Sequence, residues 1–247
     1  MEIKRFFVEP EKLNGSVAVI DNGEFYHMTR VLRLKKGYKI IVCTGDGNDY
    51  YGEIDGVSDG CATVKIEKSL PNQTALPFDL TMLQAIPARD KLEIIVQKAV
   101  ETGVKRFIPF VSRHVNDGSV NLERLKKIAR EAAKQCGANA PAEVLPPVSF
   151  AEAVREAKRS EVAIAAYERH KGDTVANLRG RFKKDGFSVS FMIGAEGGFA
   201  AEEAEYMQKN GVELVTLGRR VLRCETAGVV VSALISAVYD LQCGENF

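Results

Sequence analysis

Two stretches carry the residues best suited to hold a ligand through the main chain. The first is Met192-Ile193-Gly194-Ala195-Glu196-Gly197-Gly198-Phe199. The second is Leu217-Gly218-Arg219-Arg220-Val221-Leu222-Arg223-Cys224-Glu225-Thr226-Ala227. Each follows an apolar, strand-like run, Phe187 to Ile193 and Val212 to Leu217, and each precedes a helical pattern. Glycines placed after a strand let the backbone turn sharply and let a ligand approach the peptide groups. On neighbouring strands of an α/β sheet, two such turns meet at the carboxyl ends, where these folds bind ligands. No Lys-Ser or Lys-Thr follows the glycines, so the first stretch is not a phosphate-binding Walker loop, and the G-x-G-x-x-G dinucleotide spacing is absent. On the glycines alone, a purely structural strand-to-helix turn is an equal alternative.

Other chemistries have less support. The five cysteines, Cys43, Cys61, Cys136, Cys224 and Cys243, are scattered and form no C-x-x-C. That pattern suits reduced packing residues rather than a metal or disulfide site. His27, His114 and His170 have no second ligand at metal spacing, so no metal is expected. Net charge is +1, which does not announce a nucleic-acid partner. Locally, Arg30, Arg33, Lys35, Lys36 and Lys39 form a run without an acid; it suits a solvated face or a track along a phosphate backbone. No long apolar run and no leader-like N-terminus is evident, so the expectation is a cytoplasmic protein without a membrane span.

The elements that must position these groups fall into two sets. Residues 1 to about 70 read as short strands between Gly- and Asp-containing turns, the pattern of a small barrel. Within them, Glu24 to Leu34 has helical spacing at Phe25, Met28 and Leu32. Ser69 to Pro77, with two prolines, marks the boundary. Beyond it the period changes: a strand over Leu80 to Ile86, a helix opened by Asp90 as cap with Glu93 three residues on, and a strand over Val104 to Val111. Strand–helix–strand order argues for a parallel sheet. Helices are expected over Leu122 to Cys136, Ala151 to Arg159, Ala200 to Asn210 and Glu225 to Leu241, with a further strand over Val162 to Tyr167. The last helix is apolar around most of its circumference and must be covered on several sides; a subunit interface is one way to do that.

Taken together, the two glycine-containing blocks closely resemble the RsmE-type small-subunit rRNA methyltransferases of the SPOUT superfamily. There a G-x-E-G-G-F loop and an L-G-x-R-[IV]-L-R-x-E-T-A segment form most of the S-adenosylmethionine (AdoMet) site. The resemblance extends to Lys91-Leu92-Glu93-Ile94-Ile95-Val96-Gln97-Lys98-Ala99-Val100-Glu101-Thr102-Gly103-Val104. It also takes in His27-Met28-Thr29-Arg30-Val31-Leu32-Arg33-Leu34 with Gly37, and Arg5-Phe6-Phe7-Val8 at the start. Four positions depart from the family pattern. Thr102 replaces a usual Leu, Ala195 a common Pro, Ala200 a capping Ser, and Ala138 an Arg after Glu131-Ala132-Ala133-Lys134-Gln135-Cys136-Gly137.

The resemblance implies a PUA-like RNA-binding β-barrel over residues 1–72 and a SPOUT methyltransferase domain over residues 73–247. The latter would be an α/β domain with a mostly parallel sheet and a trefoil knot. Threading is so rare that pattern alone would argue against the knot; it follows from the resemblance only. AdoMet would be held by Tyr167, Gly194, Glu196, Gly197, Gly198, Leu217, Gly218, Leu222 and Thr226. Glu196 has a second reading as a cap on the loop amides. The reaction implied is methylation of N3 of a uridine in 16S rRNA. That nitrogen must lose a proton, which points to Arg223 and Glu225 as the catalytic polar pair; a structural ion pair at the start of the last helix is the alternative. Arg30, Arg33, Arg113, Arg219 and Arg220 are the candidate RNA contacts, with surface solvation as their alternative. The expected partners are small-subunit rRNA, in the assembled subunit, and a second copy of the chain as a homodimer. Rival readings are a SPOUT enzyme acting on a ribose 2′-OH or on tRNA, and a non-catalytic RNA-binding ribosome-assembly factor, which Ala138 keeps open.

Overall fold

A computed structural model describes residues 3–88, 91–115, 118–183 and 186–243. The expected cap, Asp90, lies outside the described residues. The chain divides into two compact units, residues 1–75 with 133–141, and residues 76–132 with 142–247.

The first unit is one six-stranded sheet. Its strands are β1 (Lys4–Phe7), β2 (Leu13–Asn14), β3 (Val17–Asp21), β4 (Lys39–Cys43), β5 (Asn48–Ser58) and β6 (Cys61–Pro71), in the order β1-β4-β5-β6-β3-β2. Only the β1–β4 pair is parallel. Register shifts in the long β5–β6 pair, at Tyr51/Gly52 and Ile54/Gly56, bend the ribbon, and the sheet curls around Phe6, Ile20, Met28, Ile40, Ile54 and Val64. Asp21-Asn22-Gly23 reads from the sequence as a turn, yet a short helix starts there, α1 (Asn22–Tyr26). A wider turn over His27–Val31 follows and drops Met28 into the core. Arg33 then adopts φ +55, while the Leu34 N–H closes on the Met28 carbonyl at 3.0 Å. This is the left-handed helix ending that glycine usually supplies.

Residues 133–141 join this unit through polar groups. Asp49 forms a two-pronged pair with Arg5, at 2.6 and 2.8 Å, and accepts from Asn72. Asn139 accepts from the Gly47 N–H at 3.0 Å and donates to the Asn48 carbonyl. Lys134 pairs with the Glu24 carboxylate at 2.8 Å, both side chains largely buried. Ala138, where the family carries Arg, ends the preceding helix by donating its N–H to the Ala133 carbonyl.

Among the described residues every strand pairing of the second unit is parallel. The strands are β7 (Asp79–Ala85), β8 (Arg106–Val111), β9 (Glu143–Val144), β10 (Val148–Ser149), β11 (Val162–Ala166), β12 (Ser188–Ile193) and β13 (Glu213–Val215). Their order is β10-β8-β7-β12-β11-β13, with β9 beside β8. The helices are α2 (Lys91–Glu101), α3 (Leu122–Cys136), whose residues 133–136 group with the first unit, α4 (Phe150–Ala157), α5 (Ala201–Lys209) and α6 (Cys224–Cys243). The strands alternate as period two requires. Leu83, Ala85, Ile108, Ala165 and Met192 pack with α4 and α5 residues such as Val154 and Met207. Met82, one position away, reaches Gly228 of α6. Both faces are therefore covered, which is why the strands read as continuous apolar runs.

Local signals account for the helix ends. Ser149 and Glu152 form a reciprocal capping box at α4. At α5 only half of that device exists: Glu203 accepts from the Ala200 N–H at 2.9 Å, and Ala200 returns no side-chain bond. Thr102 is more than a packing change. Its Oγ1 accepts from the buried Ser232 hydroxyl at 2.8 Å, a polar link between α2 and α6. By length and composition α6 is apolar enough to cross a membrane. Its Ala227, Val231, Ile235, Val238 and Tyr239 are nevertheless buried within this unit, as the core helix of a packed sheet requires.

Candidate active site

The register of the parallel sheet creates the site. Ile193 is level with Gln84 of β7 and Ala166 of β11, and Ala166 is level with Val215 of β13. The segments leaving these four strands therefore emerge at one edge, as the carboxyl-end rule for parallel sheets anticipates.

After Ile193 the chain turns at once. The Gly198 N–H donates to the Ala195 carbonyl at 2.9 Å, and Gly198 has φ +64. A Cβ on Gly194 would lie 2.9 Å from the Gly198 carbonyl carbon, so the two legs of the turn touch only because Gly194 lacks one. Gln84, fully buried, donates from Nε2 to the Gly194 carbonyl at 3.2 Å and pins the turn to β7. After Val215, Thr216 donates its N–H to the Asp173 carbonyl, and its hydroxyl oxygen accepts from the Gly218 N–H. The loop runs on until the Arg223 carbonyl accepts the N–H groups of Thr226 and Ala227 at 2.9 and 2.8 Å and α6 begins.

Between the two turns lies a cavity of about 380 Å³. Tyr167, Gly194, Glu196, Gly197, Gly198, Leu217, Gly218 and Leu222 line it, as do Arg220 and Arg223. Among the described residues the lining does not include Thr226, Glu225 or Arg219. Cys224 and Ala227 face the cavity from α6, and the helical period turns the two residues between them away. Arg113 lies just past β8, exposed and paired with Glu202 at 3.0 Å. Arg30 and Arg33 are exposed on the first unit, where two members of the same basic run, Lys36 and Lys39, pair with Asp55 and Glu67.

Glu196 ties two loops together. Its carboxylate accepts from the Ala88 N–H at 3.2 Å and from Lys91 Nζ at 2.8 Å. Burial disfavours its charge, but Lys91, its own N–H and that of Ala88 outweigh burial and hold the carboxyl below the usual range. Arg223 and Glu225 form no ion pair among the described residues. Glu225 instead accepts from the Cys224 thiol at 3.2 Å, and its own N–H leads the groups that hold its carboxyl down. Burial, then this carboxylate, pushes the Cys224 thiol up to about 12, so Cys224 stays protonated at neutral pH.

Three contributors escaped the sequence reading of the site. Lys91 lines the cavity, and its place in the Lys-Leu-Glu segment was the available signal. Gln84 carried no signal beyond a polar residue inside an apolar strand. His114 packs on the glycine turn, its ring 3.0 Å from where a Gly197 Cβ would stand, and nothing local marks it. The walls combine apolar surface from Ala166, Ile193, Val221 and Ala227 with the carboxylates Glu168 and Glu196 and the peptide edges of both turns. Such a site suits a flat ring joined to a charged, hydrogen-bonding chain.

A family model described as RNA methyltransferase domain matches residues 74–236, and one described as RNA methyltransferase PUA domain matches residues 20–67. The ribosomal RNA small subunit methyltransferase E of Bacillus subtilis (strain 168) is 30% identical over 257 residues, covering 99% of this chain and 100% of that protein. The protein of the same name from Aquifex aeolicus (strain VF5) is 28% identical, covering 91% of this chain and 96% of its own. A crystal structure of a ribosomal RNA small subunit methyltransferase E from Neisseria gonorrhoeae, bound to S-adenosyl methionine, superposes with a TM-score of 0.83 at 26% identity. It covers 96% of this chain and 98% of that one. With the matching sequence spread over nearly its whole length and the two glycine turns meeting at one sheet edge, the chain belongs to the ribosomal RNA small subunit methyltransferase E family, an RNA methyltransferase domain carried together with its PUA domain.

Proposed function

We propose that the protein methylates N3 of one uridine in small-subunit rRNA, with AdoMet as donor, in the cytoplasm and as a homodimer. The observation that carries this reading is the cavity between the turn at Gly194–Gly198 and the loop at Leu217–Arg223. AdoMet fits its donor set: apolar walls for the adenine, peptide N–H and C=O groups for the polar chain, and the Glu168 and Glu196 carboxylates near a sulfonium. The bound cofactor supplies an electrophilic methyl group; the chain supplies position and electrostatics. As N3 bonds to the methyl carbon, the carbon–sulfur pair returns to sulfur and the N3 proton leaves to solvent or a base. Arg223, exposed and at the cavity wall, is placed to stabilise the charge that develops on the uracil. Glu225, turned from the cavity, is better suited to setting the start of α6 than to taking that proton. The out-of-sequence strand order β8-β7-β12-β11-β13 supports carrying over the family's knotted connection. The exposed Leu234 and Leu241 of α6 support a paired second copy.

The test is labelled AdoMet with small ribosomal subunits that lack the modification, followed by reverse transcription. Methylation at N3 blocks the pairing edge, so label and a transcriptase stop at one uridine are expected. Label without a stop would move the reaction to the ribose or another atom. Label on tRNA alone would move it to another RNA. Absence of both label and AdoMet binding would favour an assembly factor.

Two further outcomes follow from the geometry. Because the Glu196 carboxyl is held below its ordinary range, the bar to Lys91 and Ala88 persists above that range and is lost only as pH falls through the depressed value. AdoMet affinity should therefore show no Glu196 titration between about pH 6 and 8. Glu196→Gln at neutral pH should weaken it by about fivefold, since a partly exposed ion pair contributes about 1 kcal/mol. Isothermal titration at both pH values checks this. Arg33→Gly should leave the unfolding midpoint unchanged or raise it, because a left-handed non-glycine residue costs about 1 kcal/mol. It should also weaken rRNA binding and flatten its salt dependence by about one phosphate contact. Unchanged binding across a salt series would remove Arg33 from the RNA interface.

A further inference from the structure

The charged residues lining the cofactor cavity are the cations Lys91, Arg220 and Arg223 and the carboxylates Glu168 and Glu196. The two carboxylates are held differently. Glu196 has Lys91 Nζ at 2.8 Å and the Ala88 N–H at 3.2 Å, so its charge is matched within the wall. Glu168 lies two residues beyond the end of β11. Among the described residues it accepts no hydrogen bond, and its ion pair is a loose one, 3.8 Å from its exposed neighbour Arg169. Both oxygens of Glu168 stand 2.9 Å from where a Cβ on Gly198 would be. With φ +64 and no side chain, Gly198 leaves the space that this carboxylate fills. Glu168 is thus seated against the first turn as a negative charge, with both oxygens towards the glycine rather than aimed at a donor.

We infer that, on the methyltransferase reading above, Glu168 is the residue that tells the methyl donor from its product: it attracts the positive sulfonium of AdoMet and gives S-adenosylhomocysteine no such hold. The two ligands share adenine, ribose and the amino-acid end. They differ by one methyl group and one unit of charge. A sulfonium carries no N–H or O–H, so it is recognised by a nearby opposite charge and not by a directed hydrogen bond. Glu168 supplies that charge. Glu196 is no substitute, because Lys91 already offsets it. Among the described residues neither Arg220 nor Arg223 forms an ion pair, so without Glu168 the wall would present two exposed guanidinium groups to a cationic ligand. The attraction holds while the methyl group is on sulfur. It ends when the carbon–sulfur pair returns to sulfur and leaves a neutral thioether. Because the sulfonium charge is already dispersing in the transition state, the gain lies in binding and exchange rather than in the chemical step. Glu168 is accordingly a specificity-determining residue that favours donor over product in the cavity.

The test titrates the full-length protein with three probes: AdoMet, S-adenosylhomocysteine, and sinefungin, which carries an ammonium where AdoMet carries the sulfonium. Wild type should bind AdoMet and sinefungin more tightly than S-adenosylhomocysteine. Glu168→Gln removes the charge and keeps the shape. It should weaken AdoMet and sinefungin by about fivefold and leave S-adenosylhomocysteine within about twofold, the scale of one partly exposed charge pair. Glu168→Asp should keep part of the preference. Glu196→Gln should weaken all three probes alike, because it loosens the turn. A loss confined to the two cationic probes in Glu196→Gln would move the role to that carboxylate and overturn the assignment. Equal losses for all three probes in Glu168→Gln would also overturn it, by placing the carboxylate at the ribose or the amino-acid end, and so would no loss at all. A wild type that binds S-adenosylhomocysteine as tightly as AdoMet overturns the assignment without any variant having to fold. A wild type that binds none of the three overturns the methyltransferase reading itself.

Discussion

Gly194→Ala should all but abolish AdoMet binding. The added Cβ would stand 2.9 Å from the Gly198 carbonyl carbon and 3.0 Å from its Cα. Both are main-chain atoms, so no side chain can swing aside. The turn must open, and with it go the Gly198 N–H bond to Ala195 and the Gln84 bond to the Gly194 carbonyl. The peptide groups that line the cavity then lose the positions that let them act together. A rise in dissociation constant of about a hundredfold or more is expected, about 3 kcal/mol, measured by titration calorimetry. The sheet itself should survive, because Ile193 and the residues before it keep their register with β7 and β11. Gly197→Ala is the control. The nearest neighbours of its Cβ would be atoms of the exposed His114 side chain, at 3.0–3.2 Å. The imidazole can move, so AdoMet affinity should fall no more than a few-fold. Equal losses in the two variants would show that any side chain in the turn is intolerable and that the Gly194–Gly198 contact is not the reason.

Arg223→Ala should remove turnover while leaving both the fold and AdoMet binding in place. Arg223 is exposed, lines the cavity and forms no ion pair among the described residues. Its contribution to α6 is made by its carbonyl, which accepts from Thr226 and Ala227 and survives the substitution. If the guanidinium stabilises the anion that forms on uracil as N3 loses its proton, kcat should fall by about 10²–10³. The unfolding midpoint should stay close to wild type. Arg223→Lys should recover part of the loss, since it keeps the charge but not the planar fork. Retained kcat in Arg223→Ala would take the residue out of the mechanism. A collapse of thermal stability would assign it to the start of α6 instead.

The parts of the molecule built from near neighbours were legible in the sequence. The helix expected over Leu122 to Cys136 spans those residues in the structure, because its apolar spacing, its cap Asn121 and its Gly137 stop all lie within one segment. The strand before Gly194 and the helix beginning near Glu225 were equally readable, for the same reason. At residue 22 local signals misled. Asp21-Asn22-Gly23 reads as a turn, yet α1 begins there, and the segment it opens carries Met28, six residues after Asn22, into the core of the first unit.

The remaining features depend on partners far apart in the chain. Asn139 bonds Gly47 and Asn48 across more than 90 positions, and Lys134 meets Glu24, so residues 133–141 group with the first unit although they lie just past the middle of the sequence. Lys91 and Glu196 are 105 positions apart, and Thr102 and Ser232 are 130. No periodicity or propensity encodes such pairings, because each side chain satisfies its local geometry equally well without the other. By itself the sequence determined most of the longer strands and helices, where the glycines permit tight turns, and which family the two turns belong to. Only the tertiary structure decided that β12 lies between β7 and β11 with their ends level. That register turns two separate glycine loops into the walls of one cavity. The physical reason is that hydrogen-bond register and burial on both faces of a sheet are set by all its strands at once, not by any one of them.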